Sequence, residues 1–75
     1  MISGVHIRMA RAALRLGIRD LAKLAKVAPM TISRLETGQS GGYAKTIEKI
    51  QRALEKAGVV FIDGDAPGVR LRKRP

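Results

Sequence analysis

Apolar residues recur at helical spacing along most of this chain. Ile7, Ala10 and Leu14 fall at i, i+3 and i+7, which predicts a first helix over residues 5–14 with one apolar stripe. Ser3 offers a side chain suited to cap it, and Gly17 breaks it. A second, shorter helix is expected with Leu21, Ala22, Leu24 and Ala25 on its apolar side and Arg19, Asp20 and Lys23 outside. Pro29 disfavours helical geometry at Ala28 and suits the first turn of a new helix, so Lys26, Val27 and Ala28 form a tight connection. The third helix, residues 29–37, buries Ile32 and Leu35 and stops at Gly38.

Residues 39–42 have the composition of a loop. A fourth helix is expected over residues 44–57, with Ile47, Ile50, Ala53, Leu54 and Ala57 inside and a Glu48–Arg52 pair outside. Beyond Gly58 the period changes. Residues 59–63 read as a strand, residues 64–68 as a turn, and Val69 to Arg72 alternate at period two. A lone hairpin is marginally stable, so this segment must pack on the helices or pair with another chain. Val59, Val60, Phe61 and Ile62 are apolar on both strand faces, from which a homodimer interface in the C-terminal segment is expected.

Length and charge narrow the picture. Seventy-five residues allow one small core. The absence of Cys excludes disulfides and thiolate metal sites, and a single His argues against a His-rich metal or haem site, so no metal or cofactor is expected. The longest uncharged apolar run is residues 57–62, far short of a membrane span, and no membrane association is expected. Fifteen Lys and Arg stand against six Asp and Glu, a net charge of +9. Residues 1–34 carry +6 with Asp20 as their one acid, residues 35–65 carry −1, and the last ten carry +4. A basic first half on a neutral scaffold points to nucleic acid or an acidic partner.

Two short helices joined by three residues, the second opening at Pro and closing at Gly, have helix-turn-helix proportions. Leu21-Ala22, Ala25, Val27, Thr31-Ile32-Ser33-Arg34 and Glu36-x-Gly38 match in register, without a gap, the pattern of the Cro/C1-type (XRE-like) helix-turn-helix family, which residues 5–57 therefore resemble. Thr46 to Leu54 resembles that family's next helix. The resemblance implies a mostly α, four-helix lambda-repressor-like domain over residues 1–58. Residues 59–75 follow as a short C-terminal β-hairpin or strand segment with a basic tail. Four positions depart from the family pattern: Gly17 and Ala28 stand where hydroxyl caps are usual, Ile18 where Gln is usual, and Lys26 where the turn Gly is usual.

The resemblance makes the third helix the recognition helix. Pro29, Met30, Ser33 and Arg34 would face the DNA bases, with Arg34 matched to guanine O6 and N7 and Met30 to an apolar contact such as a thymine methyl. Arg19, Lys23, Lys26, Thr31 and Lys45 would contact phosphates, Thr31 from near the helix N-terminus. Arg11 and Glu36 occupy positions that often form an ion pair between the first and third helices. The expected function is a sequence-specific, double-stranded-DNA-binding transcriptional regulator. It would act as a homodimeric repressor or autoregulator on a pseudo-palindromic operator, in a bacterial or phage-type cytoplasm. The alternative is a small protein-binding module, an antitoxin or anti-activator, using the same scaffold against an acidic partner.

Other chemistry-bearing residues receive plainer readings. His6 has no His, Cys or acid beside it and is expected at the surface or in a cap. Asp63 and Asp65 flank Gly64 as turn residues. Tyr43 either packs where the loop meets the fourth helix or touches the DNA backbone. Arg70 and Arg72 share a strand face, as a solvated edge or an extra phosphate contact. No nucleophile–base set, phosphate-cradling glycine loop or small-molecule site is visible, so no enzyme is expected.

Overall fold

The computed structural model describes residues 2–38 and 44–72. The loop expected over residues 39–42, Tyr43 and the last tail residues, Lys73 to Pro75, lie outside the described residues. The protein is mostly helical, with a small antiparallel sheet. Helices α1 (Gly4–Leu14), α2 (Ile18–Ala25), α3 (Pro29–Thr37) and α4 (Ala44–Lys56) precede strands β1 (Val59–Ile62) and β2 (Gly68–Leu71).

The ends of the first two helices follow from backbone geometry. Arg15 and Lys26 both take left-handed conformations, each with φ 58°. Each lets two N–H groups turn back onto the last helical carbonyls: Arg15 to Ala12 and Leu16 to Arg11, then Lys26 to Lys23 and Val27 to Ala22. Such geometry normally favours glycine, and a side chain there costs about 1 kcal/mol. α3 ends more cheaply at Gly38, with φ 71°.

Every helix contributes to one core. Ile7 and Ala10 of α1, Leu21, Ala22 and Ala25 of α2, Ile32 and Leu35 of α3, Ile50 and Leu54 of α4, and Val59 of β1 are buried together with Ile2. Ile47 and Ala53 pack partly against them. Leu24 corrects the expected apolar face of α2: it is 53% exposed, because Leu21 and Ala25 already occupy the inward arc. The expected Glu48–Arg52 ion pair is not formed, and Gln51 Nε2 donates instead to Glu55 Oε2 at 3.3 Å.

The C-terminal strands pair within the chain, Val59 opposite Leu71 and Ile62 opposite Gly68. The Arg72 N–H donates to the Gly58 carbonyl at 2.7 Å, one position beyond the ladder. Side chains alternate along β1, so Val59 and Phe61 point to the helices while Val60 and Ile62 lie half-buried on the other face.

His6 fastens the hairpin to α1, and its position corrects the expectation of a surface residue. It is only 4% exposed. The Ser3 N–H donates to Nδ1 at 3.1 Å, which makes Nδ1 the acceptor and leaves the proton on Nε2. Nε2 then donates to the Ile62 carbonyl at 2.8 Å. The ring also meets Phe61 edge-on at 5.9 Å. The capping half of the expectation is thus met through the Ser3 backbone, and the surface half is not.

Gly4 sets a second close contact. A Cβ built there would overlap the Leu35 carbonyl oxygen and stand 2.8 Å from the Leu35 carbonyl carbon and 3.1 Å from Glu36 Cα. The first turn of α1 therefore lies directly on the backbone of the last turns of α3.

Candidate nucleic-acid interface

α2 and α3 pack against each other through Leu21, Ala22, Ile32 and Leu35, which leaves their polar sides outward. Arg19 and Lys23 are four residues apart on α2 and both exposed, so they share one face. On α3, Met30, Ser33 and Arg34 stand at i, i+3 and i+4. Pro29, Met30 and Arg34 are exposed, while Ser33 and Thr31 are half-buried. These side chains project from a short rigid unit whose turn contains exposed Lys26.

α4 joins this surface through a contact that the sequence did not disclose. Lys49 Nζ donates to the Lys26 carbonyl at 3.3 Å, tying α4 to the left-handed residue that ends α2. Lys45 lies one turn earlier on α4 and is exposed, so Lys26, Lys45 and Lys49 gather beside the α2–α3 turn. The motif made Lys26 and Lys45 visible, but Lys49 required knowledge of how α4 packs on α2.

The surface is electropositive because its exposed cations outnumber its exposed acids: Arg19, Lys23, Lys26 and Arg34 stand against Asp20 on α2, α3 and their turn. Asp20 Oδ2 accepts the Gly17 N–H at 2.8 Å, capping α2 from its third position where Gly17 offers no side chain. Among the described residues, Arg19, Lys23, Lys26 and Arg34 take part in no ion pair. Their charge is available to an outside anion.

The N-terminus of α3 has no such compensation. Ala28 takes the extended geometry of a capping residue, φ −70° and ψ 142°, but makes no side-chain cap bond. Ala28→Ser should raise stability by about 1 kcal/mol and the melting temperature by roughly 4–8 °C. An unchanged thermal melt would contradict that reading of the helix end.

Arg11 and Glu36 hold the unit in place from behind. Arg11 Nε donates to Glu36 Oε2 and Nη2 to Oε1, both at 2.9 Å, a parallel two-pronged pair. Arg11 Nη1 also donates to the Leu16 carbonyl at 3.1 Å, fixing the α1–α2 turn. The Glu36 side chain is 7% exposed and that of Arg11 21%. Hydrogen bonding to Glu36 raises the Arg11 guanidinium above its already high ordinary value against the opposing effect of burial.

Ser3, His6 and Asp63 place a hydroxyl, an imidazole and a carboxylate in a row, with Asp63 Oδ1 3.6 Å from His6 Nε2. The Nδ1 lone pair is occupied by the Ser3 N–H and the ring is buried, so the arrangement caps a helix and anchors the hairpin. Among the described residues, no three His, Cys, Asp or Glu side chains come together as a metal site would require. Nor is any helix among them long and apolar enough to cross a membrane. The chain matches no protein-family model and no curated protein.

Proposed function

We propose that α2 and α3 form a helix-turn-helix in a lambda-repressor-like domain, and that the chain is a sequence-specific DNA-binding transcriptional regulator of Cro/C1 type. The observation that carries this reading is the face of α2, α3 and their turn. It presents Arg19, Lys23, Lys26 and Arg34, none of them ion-paired among the described residues, beside Met30 and Ser33. α3 enters the major groove, Arg34 reads a base edge, and Pro29, Met30 and Ser33 complete the contact surface. Arg19, Lys23, Lys26, Lys45 and Thr31 meet phosphates. A homodimer assembled through the C-terminal hairpin places two copies of α3 about 34 Å apart, one turn of a pseudo-palindromic operator. Such a protein acts in the cytoplasm as a repressor or autoregulator.

Exposed Leu24 beside Lys23 favours one second reading, an apolar and basic surface for an acidic protein partner, as in an antitoxin or anti-activator. Titration of a labelled operator duplex against increasing salt separates the two. Duplex binding weakens steeply with salt, by a slope of about −0.9 per phosphate contact. Arg34→Ala lowers discrimination at one base pair by about 1–3 kcal/mol, whereas Lys23→Ala weakens all duplexes alike and reduces the salt slope by about 1. Equal losses of discrimination in both variants would count against α3 as the reader, and no duplex binding at low salt would favour the protein partner.

A further inference from the structure

An open groove of about 610 Å³ runs between α4 and the C-terminal hairpin. No residue of α2 or α3 lines it, so it lies apart from the face assigned to the duplex. Its apolar part includes Ile2, which is buried, and Val60 and Phe61, which are half-buried. Its cations are Arg52 and Lys56, one turn apart on α4, and Arg72, all three exposed. The Arg72 N–H bond to the Gly58 carbonyl holds the end of β2 beside the passage from α4 into β1, which brings Arg72 to the two α4 cations. The groove also has two acids, and each faces a group of its own. Glu55 Oε2 accepts from Gln51 Nε2 at 3.3 Å, and Asp63 Oδ1 stands 3.6 Å from His6 Nε2. Among the described residues, Arg52, Lys56 and Arg72 take part in no ion pair.

Small-molecule sites are typically concavities of about 300–1,000 Å³ that combine apolar walls with a few charged or polar groups. We propose that this groove binds a small organic anion, an apolar body carrying one carboxylate. Arg52, Lys56 and Arg72 meet the carboxylate, to which their charge is complementary, and Ile2, Val60 and Phe61 receive the body. The two parts of the site select together. Exposed cations hold any anion only weakly, whereas each methylene withdrawn from water strengthens binding by up to about fourfold. A bare phosphate therefore gains the first part alone, and an uncharged alcohol the second part alone. The inference goes beyond the duplex-binding reading and does not depend on it.

The test titrates the full chain, labelled with nitrogen-15, with octanoate at fixed pH and salt in a phosphate-free buffer, and reads the amide shifts residue by residue. Saturable shifts gathered at residues 52–61 and 72 are expected, with α2 and α3 unmoved. Octanol, which lacks the charge, and inorganic phosphate, which lacks the apolar body, should each bind about fivefold more weakly or less. Arg52→Gln should weaken octanoate about two- to fivefold. Arg8→Gln makes the same change at an exposed position of α1 outside the groove and should leave octanoate binding as it is. Both variants should melt with the wild type. Equal weakening by the two variants, or shifts spread over α2 and α3, would overturn the site in favour of unspecific attraction to a chain of charge +9. Octanol binding as tightly as octanoate would overturn the part given to the cations, and phosphate doing so would overturn the part given to the apolar residues. No saturation at millimolar octanoate would overturn the proposal outright. None of these results alters the outcome of a duplex-binding experiment, since no residue of α2 or α3 takes part.

Discussion

Glu36→Ala should destabilise the fold by about 3 kcal/mol, while Glu55→Ala should change it by less than about 0.5 kcal/mol. Both remove one carboxylate, so the contrast isolates environment. Glu36 accepts two hydrogen bonds from Arg11 and is almost wholly buried, and its loss leaves a partly buried guanidinium with only the Leu16 carbonyl. Glu55 is exposed on α4 and accepts one long bond from Gln51. A chain of this length has a total stability of about 4–11 kcal/mol, so the first variant forfeits a large part of it. Its melting temperature should fall by about 12 °C or more. Replacing both partners by Leu should recover much of the loss, since no charge is then stranded. Equal melting shifts for Glu36→Ala and Glu55→Ala would show that the pair contributes nothing.

Gly4→Ala should also destabilise, by about 3 kcal/mol, against the trend for glycine in helices. Alanine at an ordinary helical position is better than glycine by about 1 kcal/mol. At Gly4 the added Cβ meets the Leu35 carbonyl and the backbone of Glu36, neither of which is a movable side-chain end. α1 must lift from α3, which also stretches the Arg11–Glu36 pair. Chemical denaturation decides the sign: a gain in stability would mean that the two helices do not approach so closely. A loss accompanied by weaker duplex binding would follow if α1 braces α3 in its working position.

Much of the helical layout was legible because its signals are local. Pro29 and Gly38 bound α3 at the positions expected from their backbone chemistry, and Ser3 stands immediately before α1. The apolar run after Gly58, the turn residues 64–68 and the period-two alternation of Val69 to Arg72 announced the hairpin. Leu24 was misplaced because a helical wheel of eight residues has more apolar positions than one packed side can bury. His6 was misread for a different reason: its acceptor is the carbonyl of Ile62, fifty-six positions away, which no local pattern reveals. Gly4 was silent for a similar reason, since a glycine inside a helix looks merely unfavourable until the neighbouring backbone is placed. The candidate interface was more legible than its support. Arg19, Lys23, Met30 and Arg34 could be assigned to outward positions from spacing, but the Lys49 bond to Lys26 depends on how α4 crosses α2.

This division matters for function. Net charge of +9 accounts for attraction to a polyanion and for its salt dependence, not for choice among sequences. On the proposed function, choice would come from Met30, Ser33 and Arg34, the weakly charged part of the surface. With Ala28 and Gly17 providing no hydroxyls to fix phosphates, the proposed function leaves the lysines and arginines around the turn to supply most of the attraction.

Selection of bound duplexes from a random pool at near-physiological salt therefore tests the DNA-regulator assignment most directly. The expected result is an enriched sequence with two half-sites related by two-fold symmetry, their centres about one helical turn apart, bound at least about a thousandfold more tightly than random duplex. A pool that stays unenriched after repeated rounds, with residual binding that depends on salt alone, would contradict it.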